Sequence, residues 1–348
     1  MRYNSNKNAV PPKVSIIIPM HNVEAYVSQA IESVLSQSFD NFELIIVDDG
    51  STDSSFLIAA NFVEKDCRCR ILRQGNRGPG ASRNLGINSA KGEYLYFLDA
   101  DDILMPNALQ ICIDLLIKLN LDFIAFSSEV FTSIPGWKDR FPHYIKPDIL
   151  DPVSGCDLLA KLYKIGSYSA SPCLYICSLS LIKTNSLKFD EGVLHEDEGF
   201  TPLLYYEARR TVSLSKALFR RRIREGSIMT TQISYRNSEG WIQAAYKIFR
   251  YLISIKFKHG YHCTRPLFAL QRRLLRTARR TAENIDRRNA FISDLKKKFG
   301  LKNLIFIDIG MAFYVYANQA FLILRSVKKM LPRCINRPPS ADRGGIHG

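Results

Sequence analysis

The residues of this 348-residue chain best able to do chemistry fall in five short clusters. Asp99-Ala100-Asp101 follows an apolar run, and carboxylates at i and i+2 on a turn can reach one hard divalent cation, alone or through a ribose hydroxyl. Mg²⁺ or Mn²⁺ favours carboxylates joined by diphosphate oxygens, and such an ion offsets charge on a leaving diphosphate. Asp48-Asp49-Gly50-Ser51-Thr52-Asp53 is the second cluster. An aspartate at a strand end, here Asp48 or Asp49, can accept hydrogen bonds from a base N–H or from ribose hydroxyls. Ser51 and Asp53 also read as a plain cap for the following helix. Arg83, in Gly80-Ala81-Ser82-Arg83-Asn84-Leu85-Gly86, is placed either to contact a diphosphate or to pin the acidic loops.

The fourth cluster, His195-Glu196-Asp197-Glu198, precedes an apolar helix. Asp197 or Glu196 suits removal of a proton from an attacking hydroxyl. Acids at a helix N-terminus also have a purely structural reading, because the helix dipole favours them there. The fifth is the basic run Arg220–Arg224. Arg222 and Arg224 suit phosphate, as a segment closing over a diphosphate or as a membrane-facing patch.

Positioning these clusters requires strands and helices in alternation. Strands are expected at 14–18, 42–47, 69–73, 93–98, 122–127 and 173–177, from apolar, β-branched and aromatic runs. Helices are expected after Asn22 (as its cap), near 53–64, 80–90, after Pro106, from Ser154 to about 164, and near 196–208. The pattern predicts a mostly parallel sheet flanked by helices. Pro19–Asn22, Asp48–Asp53 and Asp99–Asp102 then fall at strand carboxyl ends, where open α/β sheets bind ligands.

Charge divides the chain. From residue 216 onward there are 28 Lys and Arg against 7 Asp and Glu, a balance of +21. The preceding part holds 20 basic and 26 acidic residues, a balance of −6. The back half reads as helical and suits an anionic partner such as a membrane surface or lipid pyrophosphate. Aromatic residues are sparse in the Arg-rich stretch 265–298, so stacking platforms for nucleic acid are poorly supplied and none is expected as a partner. The eight cysteines show no zinc spacing and read as reduced thiols. The segment 303–324 is nearly long enough to span a bilayer, but it carries Asp308, Asn318 and Gln319 and fits an interfacial or packed helix better.

Taken in order, VSIIIPMHN, QSFDNFELIIVDDGSTDSS, NRGPGASRNLGINSAKGEYLYFLDADD, HEDEGF and RRRIREGSIMT resemble glycosyltransferase family 2. The resemblance covers residues 13–230 and implies a GT-A fold and inverting transfer of a sugar from a nucleotide donor, UDP-sugar first among the choices. It implies that Pro19, His21, Asn22 and Asp49 hold the nucleoside. It implies further that Asp99 and Asp101 serve ribose, diphosphate and a Mn²⁺ or Mg²⁺ cofactor, and that Asp197 is the base with Glu196 beside it. His21 stands where many members have Tyr, and ASRNLG follows the usual AARNLG closely. No Q-x-x-R-W motif of the processive synthases is present, so one sugar per encounter is expected. The implied setting is bacterial capsule, exopolysaccharide or O-antigen synthesis. There the acceptor is a polyprenyl-pyrophosphate-linked glycan, and the enzyme sits on the cytoplasmic face of the inner membrane.

The expected organisation is a flexible N-terminus over 1–12, a GT-A catalytic domain over 13–215, a basic helical region over 216–331 that associates with membrane, and a disordered tail over 332–348. A silent scaffold of an assembly complex and a basic nucleic-acid-binding protein are the competing readings. A homo-oligomer is admitted as a further partner.

Overall fold

The computed structural model describes residues 10–141, 143–227, 230–254 and 260–299. Most of the N-terminal stretch, the segment 303–324 and the tail 332–348 lie outside the described residues. The chain divides into two compact units, 1–291 and 292–348.

The elements follow in order as β1 (Val14–Met20), α1 (Val27–Leu35), β2 (Phe42–Asp48), α2 (Ser55–Lys65), β3 (Cys69–Arg73), α3 (Pro79–Ser89), β4 (Tyr94–Phe97) and β5 (Ile103–Leu104). Next come α4 (Ala108–Lys118), β6 (Phe123–Phe131), β7 (Ile149–Val153), α5 (Gly155–Lys164), β8 (Tyr175–Ser178), α6 (Leu179–Thr184), α7 (Glu196–Glu207) and β9 (Thr211–Arg222). The helices α8 (Tyr235–Ser254), α9 (Gly260–Asn284) and α10 (Arg288–Phe299) complete the described chain.

One sheet runs in the order β3-β2-β1-β4-β8-β6-β9-β5, with β7 paired to β9. The β3-β2-β1-β4 half is parallel throughout. The other half is mixed: β6 pairs β9 in parallel, while β8 pairs β4 and β6, and β9 pairs β5 and β7, antiparallel.

Side chains alternate across the pleat, so each strand feeds two cores. Ile16, Ile18, Leu44, Ile46, Tyr96 and Phe126 face one layer with Val27, Ile31, Leu109 and Ile113 of α1 and α4. Ile17, Ile45, Val47, Phe97, Phe123 and Ala125 face the other, with α5, α7, α8 and α9. Burial on both faces explains why the parallel strands read as unbroken apolar runs.

Three expectations are revised. Asn22 does not cap α1, which begins at Val27 with Tyr26 at its N-cap. Asn22 sits in the left-handed region at φ 49 and turns its side chain to the neighbouring loop. The stretch after 216 is not helical at its start, because β9 continues to Arg222; the arginine run masks a strand whose ladder partners lie over 80 residues away in β6. The boundary at 215 therefore falls inside a central strand. The basic region is also not a separate module as far as α8 and α9 are concerned. Ile248, Leu252, Leu267, Leu270 and Leu274 share a buried core with Phe200 and Leu204 of α7. Among the described residues, no helix is long and apolar enough to cross a membrane.

Leu270→Ala in α9 is expected to lower unfolding stability in urea by about 2–5 kcal/mol, the usual cost of truncating a fully buried Leu. A loss well under 1 kcal/mol would place α9 outside the fold of the first unit.

Candidate functional site

Parallel pairing of β1, β2 and β4 brings their carboxyl ends to one edge of the sheet, and the loops that follow are cross-stitched. Asn22 Oδ1 accepts from the Thr52 N–H (2.9 Å), Ser51 Oγ accepts from the Asn22 N–H (3.2 Å), and Ser55 Oγ accepts from the Val23 N–H (2.8 Å). Asp53 Oδ2 accepts from Glu24 N–H while Glu24 Oε2 accepts from Ser54 N–H. Asp53 thus joins the two loops as well as serving the α2 start through Ser55 N–H.

Asp49 is almost fully buried, and its carboxylate organises the next loop. Oδ1 accepts from Gln74 Nε2 (2.7 Å) and the Arg77 N–H (2.9 Å), and Oδ2 accepts from the Gly78 N–H (2.7 Å). His21 donates from Nδ1 to the Asp49 carbonyl (3.0 Å) and accepts at Nε2 from the Asn76 amide. Asp48 is wholly buried. Its Oδ1 accepts from Ser51 N–H. Its Oδ2 lies 3.0 Å from Arg73 Nε but lacks an aligned hydrogen bond. Pro19 lies beside them as the last but one residue of the β1 ladder, opposite Val47.

Arg83 joins the two ends of the site. Two close approaches let α3 carry it there. A Cβ on Gly86 would lie 2.5 Å from Ile17 Cγ2, and one on Gly80 would lie 2.3 Å from the Asp190 carbonyl oxygen. Arg83 is 5% exposed. It donates from Nη2 to Asp99 Oδ1 (2.8 Å) and from Nη1 to Glu196 Oε1. Its guanidinium lies over Phe189 (5.4 Å), which stacks on Phe200 of α7. Burial opposes its charge, but Asp99 and Glu196 prevail and hold it firmly protonated.

Arg222 and Arg224 meet the same acidic loop from β9. Arg222 donates from Nε to the Asp101 carbonyl (2.7 Å) and from Nη2 to Gln29, and its backbone N–H donates to Asp102 Oδ1. Arg224 Nε pairs with Asp101 Oδ2 at 2.7 Å. Both guanidinium groups lie 5.0 Å from the Tyr26 ring. Burial and then the Asp99 charge push the Asp101 carboxyl up, Arg224 opposing. Asp102, deeper, is pushed far above the carboxylate range by burial and by Asp101 and Asp99.

The N-terminus of α7 brings Glu196, Asp197 and Glu198 to the other side of Arg83. His195 precedes them in the left-handed region (φ 61), its ring stacked on Trp241 at 4.4 Å. Burial holds that ring neutral, at about 4. Asp197 is pushed up to about 8 by burial first, then by the charges of Glu196 and Glu198. Glu196 is engaged by Arg83, and Glu198 by Arg273 of α9 at 2.8 and 2.7 Å. The partners Gln74, Tyr26, Gln29 and Arg273 carry no motif, and sequence reading missed them. Arg273 lies among many similar arginines in α9 with nothing in its spacing to mark it.

Asp99 and Asp101 offer hard oxygen donors, and two neighbouring like charges gain from a cation between them. Among the described residues, one oxygen each of Asp99 and Asp102 and the Cys173 sulfur also lie within 4.8 Å of one another. Burial, then the charges of Asp99 and Asp102, keeps the Cys173 thiol protonated, and a soft thiol suits a hard cation poorly. Asp99 with Asp101 is the better-matched pair for Mg²⁺ or Mn²⁺.

The family described as glycosyl transferase family 2 matches residues 15–158, which hold the first three clusters and Arg83. That stretch carries a glycosyltransferase family 2 domain. It is 29% identical over 274 residues to glycosyltransferase GlyA of Streptococcus pneumoniae serotype 4, across 76% of this chain and 38% of GlyA. It thus spans well under half the length of that relative. The chain also superposes on residues 1–349 of S. aureus TarS in complex with UDP-GlcNAc. The TM-score is 0.66 at 24% identity, covering 82% of this chain and 80% of that one. A mannosyltransferase from Pyrobaculum calidifontis, in complex with GDP-Man and Mn²⁺, gives a TM-score of 0.52 at 15% identity, over 93% and 88%. The GT-A fold expected from the sequence is therefore present.

Arg83→Met is expected to cost about 3–5 kcal/mol at neutral pH, because it strands the buried Glu196 carboxylate. Urea titration at neutral pH measures the loss. Arg83→Lys should recover only part, since one ammonium cannot fork to two carboxylates. Full stability in Arg83→Met would remove the triad as an organiser of the site.

Proposed function

We propose that the chain is an inverting glycosyltransferase, moving a sugar from a nucleotide diphosphate-sugar to a hydroxyl of a glycan acceptor. The observation that carries this reading is the Asp99–Arg83–Glu196 bridge, which sets a diphosphate-type acidic loop and a raised carboxyl, Asp197, on opposite sides of one guanidinium.

In this reading Asp48, Asp49, His21, Asn22 and Pro19 form the nucleoside end, with Asp49 acting chiefly by holding the 74–78 loop against it. Asp99 and Asp101 hold the divalent ion, which when bound neutralises charge on the diphosphate. Arg222 and Arg224, already paired to the Asp101 loop, place further positive charge there. Asp197 takes the proton from the acceptor hydroxyl. The acceptor oxygen forms its bond to the anomeric carbon as the bond to the diphosphate oxygen breaks, and the nucleoside diphosphate leaves with the electron pair. Glu196 is occupied by Arg83, so it positions Arg83 and leaves the base role to Asp197. A base near pH 8 is matched to proton transfer at physiological pH.

UDP-sugar is the favoured donor, supported by the TarS complex with UDP-GlcNAc. The favoured acceptor is a polyprenyl-pyrophosphate-linked glycan of capsule, exopolysaccharide or O-antigen synthesis, met at the inner face of the cytoplasmic membrane. Exposed Arg265, Arg276, Arg279 and Arg280 along α9 supply charge for such an anionic surface.

Thermal melts with UDP-, GDP- and dTDP-sugars, each with Mn²⁺ or with EDTA, test the donor site. One nucleotide class should raise the melting temperature in a metal-dependent way, by mass action on the folded state, and Asp101→Ala should abolish the shift. Asp197→Asn should keep the shift and lose about 10²–10⁴-fold in turnover, the usual worth of a positioned base. Full turnover in Asp197→Asn would overturn the assignment of the base.

A further inference from the structure

We propose that Arg273 is a positioning residue for the transfer site: from α9 it clamps Glu198 and thereby sets the charge facing the adjacent carboxyl of Asp197. The inference rests on the reading of Asp197 as the proton acceptor.

Arg273 and Glu198 are joined through their side chains, and Glu198 meets the Asp197 carboxyl through its backbone N–H. Arg273 Nη2 donates to both Glu198 oxygens, at 2.8 and 2.7 Å. The Glu198 N–H donates to Asp197 Oδ1 at 2.9 Å, so the two acids share one turn of α7. Leu270 and Leu274, fully buried on either side of Arg273, fix its stem against the core. The Tyr168 ring lies 5.8 Å from its guanidinium. Arg273 is 75 residues from Glu198 in sequence, so this contact exists only through the packing of α9 on the first unit.

The groups around Asp197 come from every neighbouring element. On α7 they are Glu196 and Glu198, with neutral His195 at the cap. From α3 comes Arg83, committed to Glu196 and Asp99. Tyr168 follows α5, and its hydroxyl has no hydrogen-bond partner. On α8 Lys247 pairs with Asp190 at 3.5 Å, beside Gly199. With Glu196 balanced by Arg83, the charge on Asp197's other flank depends on whether Glu198 is balanced too. Arg273 is the partner that balances it.

Burial already pushes the Glu198 carboxyl up and Arg273 opposes it, so removing Arg273 takes a positive charge from this turn and favours the protonated form of both acids. Removing the Glu198 charge favours the carboxylate. One neighbouring charge at this range moves a carboxyl by roughly 1–3 pH units.

The test is the melting temperature against pH, read as wild type minus Asp197→Asn. Asp197 titrates far above the ordinary carboxylate value of 3.8. The stability associated with its proton is therefore fully present below 3.8 and is lost as pH rises toward about 8. The gap between the two proteins should open across that window and level off above it. Placed in both backgrounds, Arg273→Gln should move the levelling-off up by about one unit or more, and Glu198→Gln should move it down by a similar amount. Arg273→Lys should return it toward wild type, and the double variant Arg273→Gln/Glu198→Gln should lie between the single ones.

If Arg273→Gln does not fold, the double variant Arg273→Gln/Glu198→Gln, which strands no carboxylate, decides the matter: it should level off above Glu198→Gln alone, and coincidence of the two would overturn the inference. Levelling-off points that coincide in all variants would reduce Arg273 to a purely structural contact and overturn the inference. The readout needs neither donor nor acceptor, so it stands or falls separately from sugar transfer.

Discussion

A guanidinium buried between carboxylates from two distant stretches of chain is the constraint on which the site depends. Arg83 cannot shed its charge and cannot reach water, so Asp99 and Glu196 must come to it. That requirement ties the β4 loop to the start of α7. It also demands that α3 lie tight against β1 and the 190 loop, which only glycine at 80 and 86 permits. The fold delivers acidic loops to one sheet edge; Arg83 determines how far apart the carboxyls of Asp99 and Glu196 stand.

The surrounding arginines repeat the same solution. Arg224 answers Asp101, the Arg222 guanidinium and backbone answer the Asp101 and Asp102 loop, and Arg273 answers Glu198. Burial pushes Asp101 and Glu198 upward against the pull of Arg224 and Arg273, and it pushes Asp102 and Asp197 upward as well. Two neighbouring acids in one turn, Asp197 and Glu198, are thereby given different characters by their partners.

The basic back half takes on a second meaning in this light. Its charge suits an anionic surface, but α8 and α9 also close one face of the sheet with Ile248, Leu252, Leu267, Leu270 and Leu274. A helix that carries exposed arginines on one side and Arg273 toward Glu198 on the other belongs both to the periphery and to the site. Charge counting treated this region as an appendage because it registers surface composition and is blind to which leucines are buried.

The strands β1, β2, β3 and β4, the helices α2, α3, α5 and α7, and the clusters at Asp48, Asp99 and Asp197 were all legible in the sequence. Apolar runs buried on both faces, followed by turn-forming acids, leave few other readings. The family resemblance followed from the order of those same segments. The local pattern did not carry β9, because its register with β6 and its arginine-rich end are long-range facts. Nor did it carry the true partner of Asn22, which is decided by two loops meeting. The choice between Glu196 and Asp197 lay outside the pattern as well. By residue type they are adjacent acids of equal standing, and only the family resemblance pointed to Asp197; in three dimensions Glu196 is bound by Arg83 and Asp197 is not. Residue type and short-range spacing determined which groups are present and which strand ends they follow. Only tertiary packing decided which charge sits against which, because ion pairs act through distance in space and the sequence records only distance along the chain.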